Sequence, residues 1–221
     1  MVAAESGTIP GVQPVTVTGL SGRLAKVAHW VNRSWVQIQN SRAHWLWMQA
    51  EFDGDTIQGV PRYTAASWSV TRWAEWLTTD NTVTLYPLAE GPSQEAPIKF
   101  MPWRDYRAVY DRGVHDQAQP INFSISPAGE FCLGATPDAA YVVRGTYRKT
   151  PQTLVDAGDV PEMPARFHDL IAWDALILLA EHDEAQMAMA VNTRRADALR
   201  RDLMRDQLPA VVAHGGAGPL A

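Results

Sequence analysis

The sequence predicts an α+β protein: a helical bundle formed by N-terminal and C-terminal helices, with a β-rich region inserted between them. Three observations carry this reading. Near the N-terminus apolar residues recur every three or four positions, as on one face of a helix. Through the middle of the chain they alternate with polar ones, the period of a strand. After Pro164 the helical pattern returns and runs to Leu208. The chain has 221 residues, enough to bury a substantial core.

Residues 1–19 are rich in Gly, Pro, Thr and Val and read as an extended N-terminal arm. One domain follows over 20–208, with helices at 21–39 and 164–208 and the β-rich insertion at about 45–148. Ser21 is placed to cap the first helix. Its apolar stripe is Leu24, Val27, Ala28, Val31, Trp35 and Ile38, and Arg23, Lys26, Arg33 and Gln37 lie mostly off it. Met48, Ala50 and Phe52 alternate with Gln49 and Glu51, which predicts a strand, and "VPRYTA" is a candidate partner for it. In "SVTRWAEWLTTDNTVTLYPL" two β-prone runs flank the turn-like "TTDN", so a hairpin is expected. "PWRDYRAVYDRG" begins with proline and ends with glycine, the signature of a short helix. "INFSIS", "EFCLG" and "AYVVRGTYR" read as a small meander, and "KTPQTLVDAGDVPEMP" as a proline-punctuated connector. Residues 209–221, "PAVVAHGGAGPLA", read as a flexible tail.

The net charge is -5. A protein that grips nucleic acid by its phosphates carries a basic surplus, so tight non-specific DNA binding is not expected. Cys132 is the one cysteine. Alone it forms neither an intrachain disulfide nor a cysteine-based zinc site, and its strand setting suits a buried, inert thiol. The start "MVAAESGTIPG" lacks the basic and apolar stretches of a secretory signal. The longest apolar run, "ALILLA", is too short to span a membrane. These features fit folding in a reducing cytoplasm. Seven of the nine tryptophans fall between Trp30 and Trp76. Most of the seven sit on expected core faces, which favours packing or subunit contact over base stacking.

The stretch "RFHDLIAWDALILLAEHDEA" concentrates His168, Asp174, His182 and Asp183, the residues a metal-assisted hydrolase would use. The spacing argues against it. His168 and His182 are 14 residues apart, about 21 Å along one helix, and a metal–nitrogen bond is about 2 Å. H-E-x-x-H is absent, as are G-x-S-x-G, G-x-G-x-x-G and a Walker loop. "HDE" instead suits a junction, with His182 ending one helix and Asp183 and Glu184 opening the next. Asp174 interrupts a segment that is apolar nearly all round. A carboxylate there needs a partner or a raised pKa. It is either a general base or, the preferred reading, an ion-pair partner for an arginine from the first helix or the meander.

On the last helix Met189, Ala196, Leu199 and Leu203 form an apolar stripe and Arg194, Arg201 and Arg205 a basic one, with Asp197, Asp202 and Asp206 among them. Two readings stand: a solvated face laced with salt bridges, or a docking helix, apolar on one side and arginine-rich on the other.

The ordered set "RLAKVAHWVNRSWVQIQ", "HWLWMQAEF", "FMPWRDYRAVYDRG", "PINFSISPAGEFCLG" and "YRKTPQTLVDAGDVPEMPARFHDLIAWDALILLAEHDEA" resembles the head-to-tail adaptor proteins of tailed bacteriophages, especially those of short-tailed phages. The resemblance spans about residues 20–208. It implies a non-enzymatic virion protein without cofactor or metal, made in the host cytoplasm and placed at the head–tail interface. Such a protein forms a ring, commonly of twelve copies, beneath the portal. The ring lets genomic DNA pass its lumen without tight binding and gives tail (nozzle or tube) proteins their platform. Another neck component, such as a tail-tube terminator, is the neighbouring reading. The portal-binding segment would map to Arg194, Arg201, Arg205, Leu208, Pro209, Val211 and Val212, with no membrane partner.

Overall fold

A computed structural model describes residues 19–78, 83–113, 116–156 and 158–208. Nearly all of the N-terminal arm, most of the "TTDN" turn and the C-terminal tail lie outside these residues. Among the described residues there are four α-helices and two sheets, an α+β protein. The chain divides into two compact units, one made of Met1–Trp47 and Pro151–Ala221, the other of Met48–Thr150.

The first unit holds three long helices: α1 (Gly22–Asn40), α3 (His168–His182) and α4 (Gln186–Gln207). The short helix α2 (Trp103–Val109) belongs to the second unit and starts just after Pro102, as its proline predicts. Ser21 stands at the N-cap of α1 with extended backbone, but its side chain makes no capping bond. The buried face of α1 is turned from the expected stripe. Val27, Trp30, Ser34, Trp35 and Ile38 are buried, while Ala28 and Val31 are only partly so. Trp30 causes the turn: its ring meets the His182 ring edge-on at 5.3 Å and packs among Ala172, Ala175, Leu176 and Leu179.

Helix α3 is apolar on every side and packs against both α1 and α4. Leu170, Ala175 and Leu176 are among its buried residues, and each leucine contributes about 1.5–3 kcal/mol on burial. It ends in a Schellman motif. The Ala185 N–H donates to the Ala180 carbonyl at 2.8 Å and the Glu184 N–H to the Glu181 carbonyl at 3.3 Å. Glu184 therefore takes a left-handed conformation, φ 56°, at a position that usually holds glycine. The connector after residue 150 is clipped to α1 by two amides. Asn32 and Gln39 each donate to and accept from the backbone, at Leu154 and Gln152 respectively.

In the second unit the spine is β9 (Tyr141–Lys149). Strand β1 (Gln49–Asp55) pairs antiparallel along one edge of it, with Phe52 opposite Gly145 and Asp53 opposite Arg144. The two halves of the expected hairpin, β3 (Trp73–Trp76) and β4 (Thr84–Pro87), are strands, but they do not pair with each other. Both lie on the other edge of β9, β4 against its start and β3 against its end, and β5 (Ala96–Pro97) pairs with β4. Cross-strand charge favours this arrangement. Arg148 meets Glu75 at 2.7 Å, and Arg144 meets Asp53 at 3.1 Å and Glu95 at 3.3 Å.

The "VPRYTA" run gives β2 (Arg62–Tyr63), which pairs with β8 (Phe131–Gly134) and not with β1. It has two rungs to offer, whereas β9 matches all seven residues of β1. The expected meander is also split. β7 (Asn122–Ile125) and β8 pair antiparallel in the second sheet, ordered β2-β8-β7-β6 with β6 (Lys99–Phe100) parallel to β7, while β9 leaves for the first. Tyr141, Val142 and Val143 are buried in succession, so this part of β9 is covered on both faces.

An aromatic cluster fills the core of this unit. Phe52 stacks on Trp68 at 5.4 Å and Trp68 on Tyr63 at 4.9 Å. Gly54 makes the stacking possible, since a Cβ there would lie 2.3 Å from the Trp68 ring. Cys132 is fully buried, and burial pushes its thiol pKa up to about 11.

Two substitutions check these points. Gly54→Ala should destabilise the protein by about 1–3 kcal/mol, because the ring cannot stay where it is. Glu184→Gly should stabilise it by about 0.5–1 kcal/mol by removing the left-handed strain. Denaturant unfolding of each variant against the parent measures both.

Candidate functional site

The residues singled out in the sequence converge on the helical unit, along α3 and α4. Asp174 sits midway along α3 and is largely buried. Its partner is Arg200 of α4, at 2.7 Å, and not an arginine from the first helix or the meander. Helix α3 presents its Asp174 side to α4, so the nearer arginine takes the contact. Arg200 also holds Asp197 at 2.7 Å, one turn earlier on its own helix. Burial raises the Asp174 pKa and Arg200 pulls it down, and burial is the larger effect. The pair lies on the wall of a cavity of about 310 Å³ that is otherwise lined chiefly by apolar side chains such as Ile38, Leu170 and Leu203.

The four residues of the hydrolase reading are not gathered. His168 opens α3 and its Nε2 donates to the Met163 carbonyl at 2.8 Å. His182 closes the same helix, with Nδ1 on Asp183 at 3.0 Å and Nε2 accepting from Lys26 at 3.4 Å. Asp183 also binds Arg23 of α1, and the His182 and Arg23 hydrogen bonds hold its carboxyl below the usual range. This end of the unit is thus a charged clasp between α1 and the α3–α4 junction. Among the described residues no group of three His, Cys, Asp or Glu side chains is placed to hold a metal.

Helix α4 has two faces. Ala196 and Leu203 are buried, and Arg200 lies beside them, four residues after one and three before the other. That spacing is the signal in the sequence that could have picked Arg200 out of the arginines. Met187, Val191, Arg194, Ala198, Arg201 and Arg205 also step by four and three, and every one of them is exposed. This outer face is apolar over its first two members and basic beyond.

Of the apolar stripe, Ala196 and Leu203 are buried and Leu199 partly so, while Met189 is exposed. The ion pairs Arg166–Asp206 and Asp174–Arg200 join the turn before α3 to the end of α4, and the middle of α3 to α4. Of the acidic residues on α4, Asp197 and Asp202 pair within the helix, with Arg200 and Arg205, while Asp206 reaches Arg166. Arg195 lies over the Trp173 ring at 4.5 Å. Arg194 and Arg201 have no ion pair among the described residues. Leu208 is half-buried just after α4, while Pro209, Val211 and Val212 lie outside the described residues.

The Asp174–Arg200 pair makes a double prediction. Arg200→Met strands a buried carboxylate and should cost about 2–4 kcal/mol near neutral pH. The Asp174→Leu/Arg200→Met double variant should return to within about 1 kcal/mol of the parent. Asp174 has a raised folded-state pKa, so protonation favours the fold. Its loss of Arg200 raises that pKa further, and the Arg200→Met deficit should shrink as pH falls through the carboxylate range. Denaturant titrations at several pH values read all three effects.

A family model described as SU10 adaptor protein matches residues 13–215. No curated protein matches the sequence. The chain belongs to the SU10 adaptor protein family, a family of phage head-to-tail adaptors.

Proposed function

We propose that this SU10-family adaptor forms a ring beneath the portal, where it extends the DNA channel and offers tail proteins their attachment platform. The observation that carries the proposal is the family match over residues 13–215. A head-to-tail adaptor family implies portal and tail partners and a place in the virion. The ring of twelve and the short-tailed-phage type rest on the resemblance of the ordered segments.

The physical features are compatible with this role. A net charge of -5 suits a channel along which DNA slides without being held by its phosphates. Among the described residues no helix is long and apolar enough to cross a membrane. The outer face of α4 carries exposed arginines without an ion pair, and Arg is favoured as an anchor at protein interfaces. Within the proposal, Arg194, Arg201, Arg205 and Leu208, with Pro209, Val211 and Val212 after them, form the segment that docks on the portal.

The experiment is to mix the purified chain with its cognate portal ring and measure the mass of the product. A complex carrying one adaptor per portal subunit is expected. Arg201→Glu/Arg205→Glu should lower its yield at least tenfold. No complex at any ionic strength would overturn the proposal, and binding to a tail tube in place of the portal would favour a tail-tube terminator.

A further inference from the structure

Residues Met187 to Val191, "MAMAV", open α4 and are all exposed, although all are apolar. Met187 is 84% exposed, Val191 46% and Met189 38%. Their exposure shows that no neighbouring element among the described residues covers them. An apolar helical turn left in water is a contact surface waiting for a partner. The next outward residue is Arg194, which has no ion pair among the described residues.

The same chain displays a complementary surface in the connector before α3. In the connector, Val155 is 57% and Val160 66% exposed, and the Asp156 side chain is exposed with no ion pair among the described residues. The segment is held in shape. The Asp159 carboxylate accepts from the Val155 N–H at 2.6 Å and the Asp156 N–H at 2.8 Å. The Gln152 amide donates to the Val160 carbonyl at 3.0 Å, and Asn32 and Gln39 fasten the segment to α1. The result, among the described residues, is two exposed valines and a free carboxylate whose backbone groups at Val155, Asp156 and Val160 are hydrogen-bonded. Such a surface loses little conformational entropy on binding.

We infer that the first turns of α4 dock on the Val155–Val160 segment of a second copy of this chain, with Met187 and Val191 against its valines and Arg194 against Asp156. Apolar meets apolar and cation meets anion, which is why a second copy fits better than a nucleic acid or a lipid surface. One patch lies on α4 and the other on the connector that Asn32 and Gln39 tie to α1, so the two surfaces are different parts of the chain. The contact is therefore head-to-tail, the kind that closes into a ring when the rotation between copies allows. The inference rests on the ring reading and names the surfaces that join its members.

The test is crosslinking of the full chain. Cys132 is buried and is the one native cysteine, so background reaction is low. Two double variants, Val155→Cys/Val191→Cys and Val160→Cys/Met187→Cys, are treated with a short bis-maleimide, alone and with portal rings. A ladder of covalent multimers is expected from at least one double variant, and no ladder from the single variants. Arg194→Asp should weaken assembly about tenfold, and adding Asp156→Arg should restore it. Particles of ring mass that give no ladder overturn these surfaces and leave the ring reading standing. A single Val191→Cys variant that links only to itself as a dimer overturns the head-to-tail contact. A chain that stays monomeric with and without portal overturns the ring reading and this inference together.

Discussion

Helix α3 is apolar on every side, and the helical unit is arranged to cover it. A helix without a polar face has no stable place at a surface, so it must be flanked on opposite sides. Helices α1 and α4 do this. The consequence is a division of labour in α4. Its inner face, with Ala196 and Leu203, is spent on α3, and its outer face is left for other contacts. The charged groups along α3 serve the same end. Asp174 is held by Arg200, and the clasp of Arg23, Asp183 and His182 fixes the junction where α3 turns into α4. What resembles an active site in the sequence is the fastening of a buried helix.

The β unit rests on a different constraint. Strand β9 alone is long enough to pair with β1, β3 and β4, and it carries the arginines that their carboxylates seek. On the core side, large rings are stacked so closely that glycine is required where Trp68 crosses β1. The tryptophan cluster of the sequence is therefore largely internal. Trp35 and Trp45 are buried in the helical unit, and Trp68 and Trp76 in the β unit. Little of it is left over for stacking on bases.

Periodicity made the helices legible. The first helix was expected at 21–39 and runs from Gly22 to Asn40, and the "HDE" junction falls between α3 and α4. Pairing was not legible, because a strand's alternation records which face is buried and says nothing of its neighbour. That is why the expected 69–88 hairpin, the "VPRYTA" pairing and the three-stranded meander differ from the pairing observed. The partner of Asp174 was missed for a related reason. Periodicity places Asp174 on a helix but not the side on which α4 lies, and the basic stripe of Arg194, Arg201 and Arg205 leaves Arg200 out. Met189 shares the apolar stripe with Ala196 and Leu203 yet is exposed, because periodicity marks a face and not how much of it a neighbour covers. The proposed portal-binding segment rests on resemblance, since exposed arginines in a helix look alike whether they meet water or a partner.

The central claim is that the outer face of α4 is kept free in the monomer and covered in the assembled particle. Amide hydrogen exchange of the chain, free and in complex with portal, measures this directly. The expected result is strong protection of α3 in both states, with slowing of exchange on assembly across Gln186–Gln207 and the Val155–Val160 segment. Slowing confined to other parts of the chain, with α4 exchanging as it does alone, would contradict the claim.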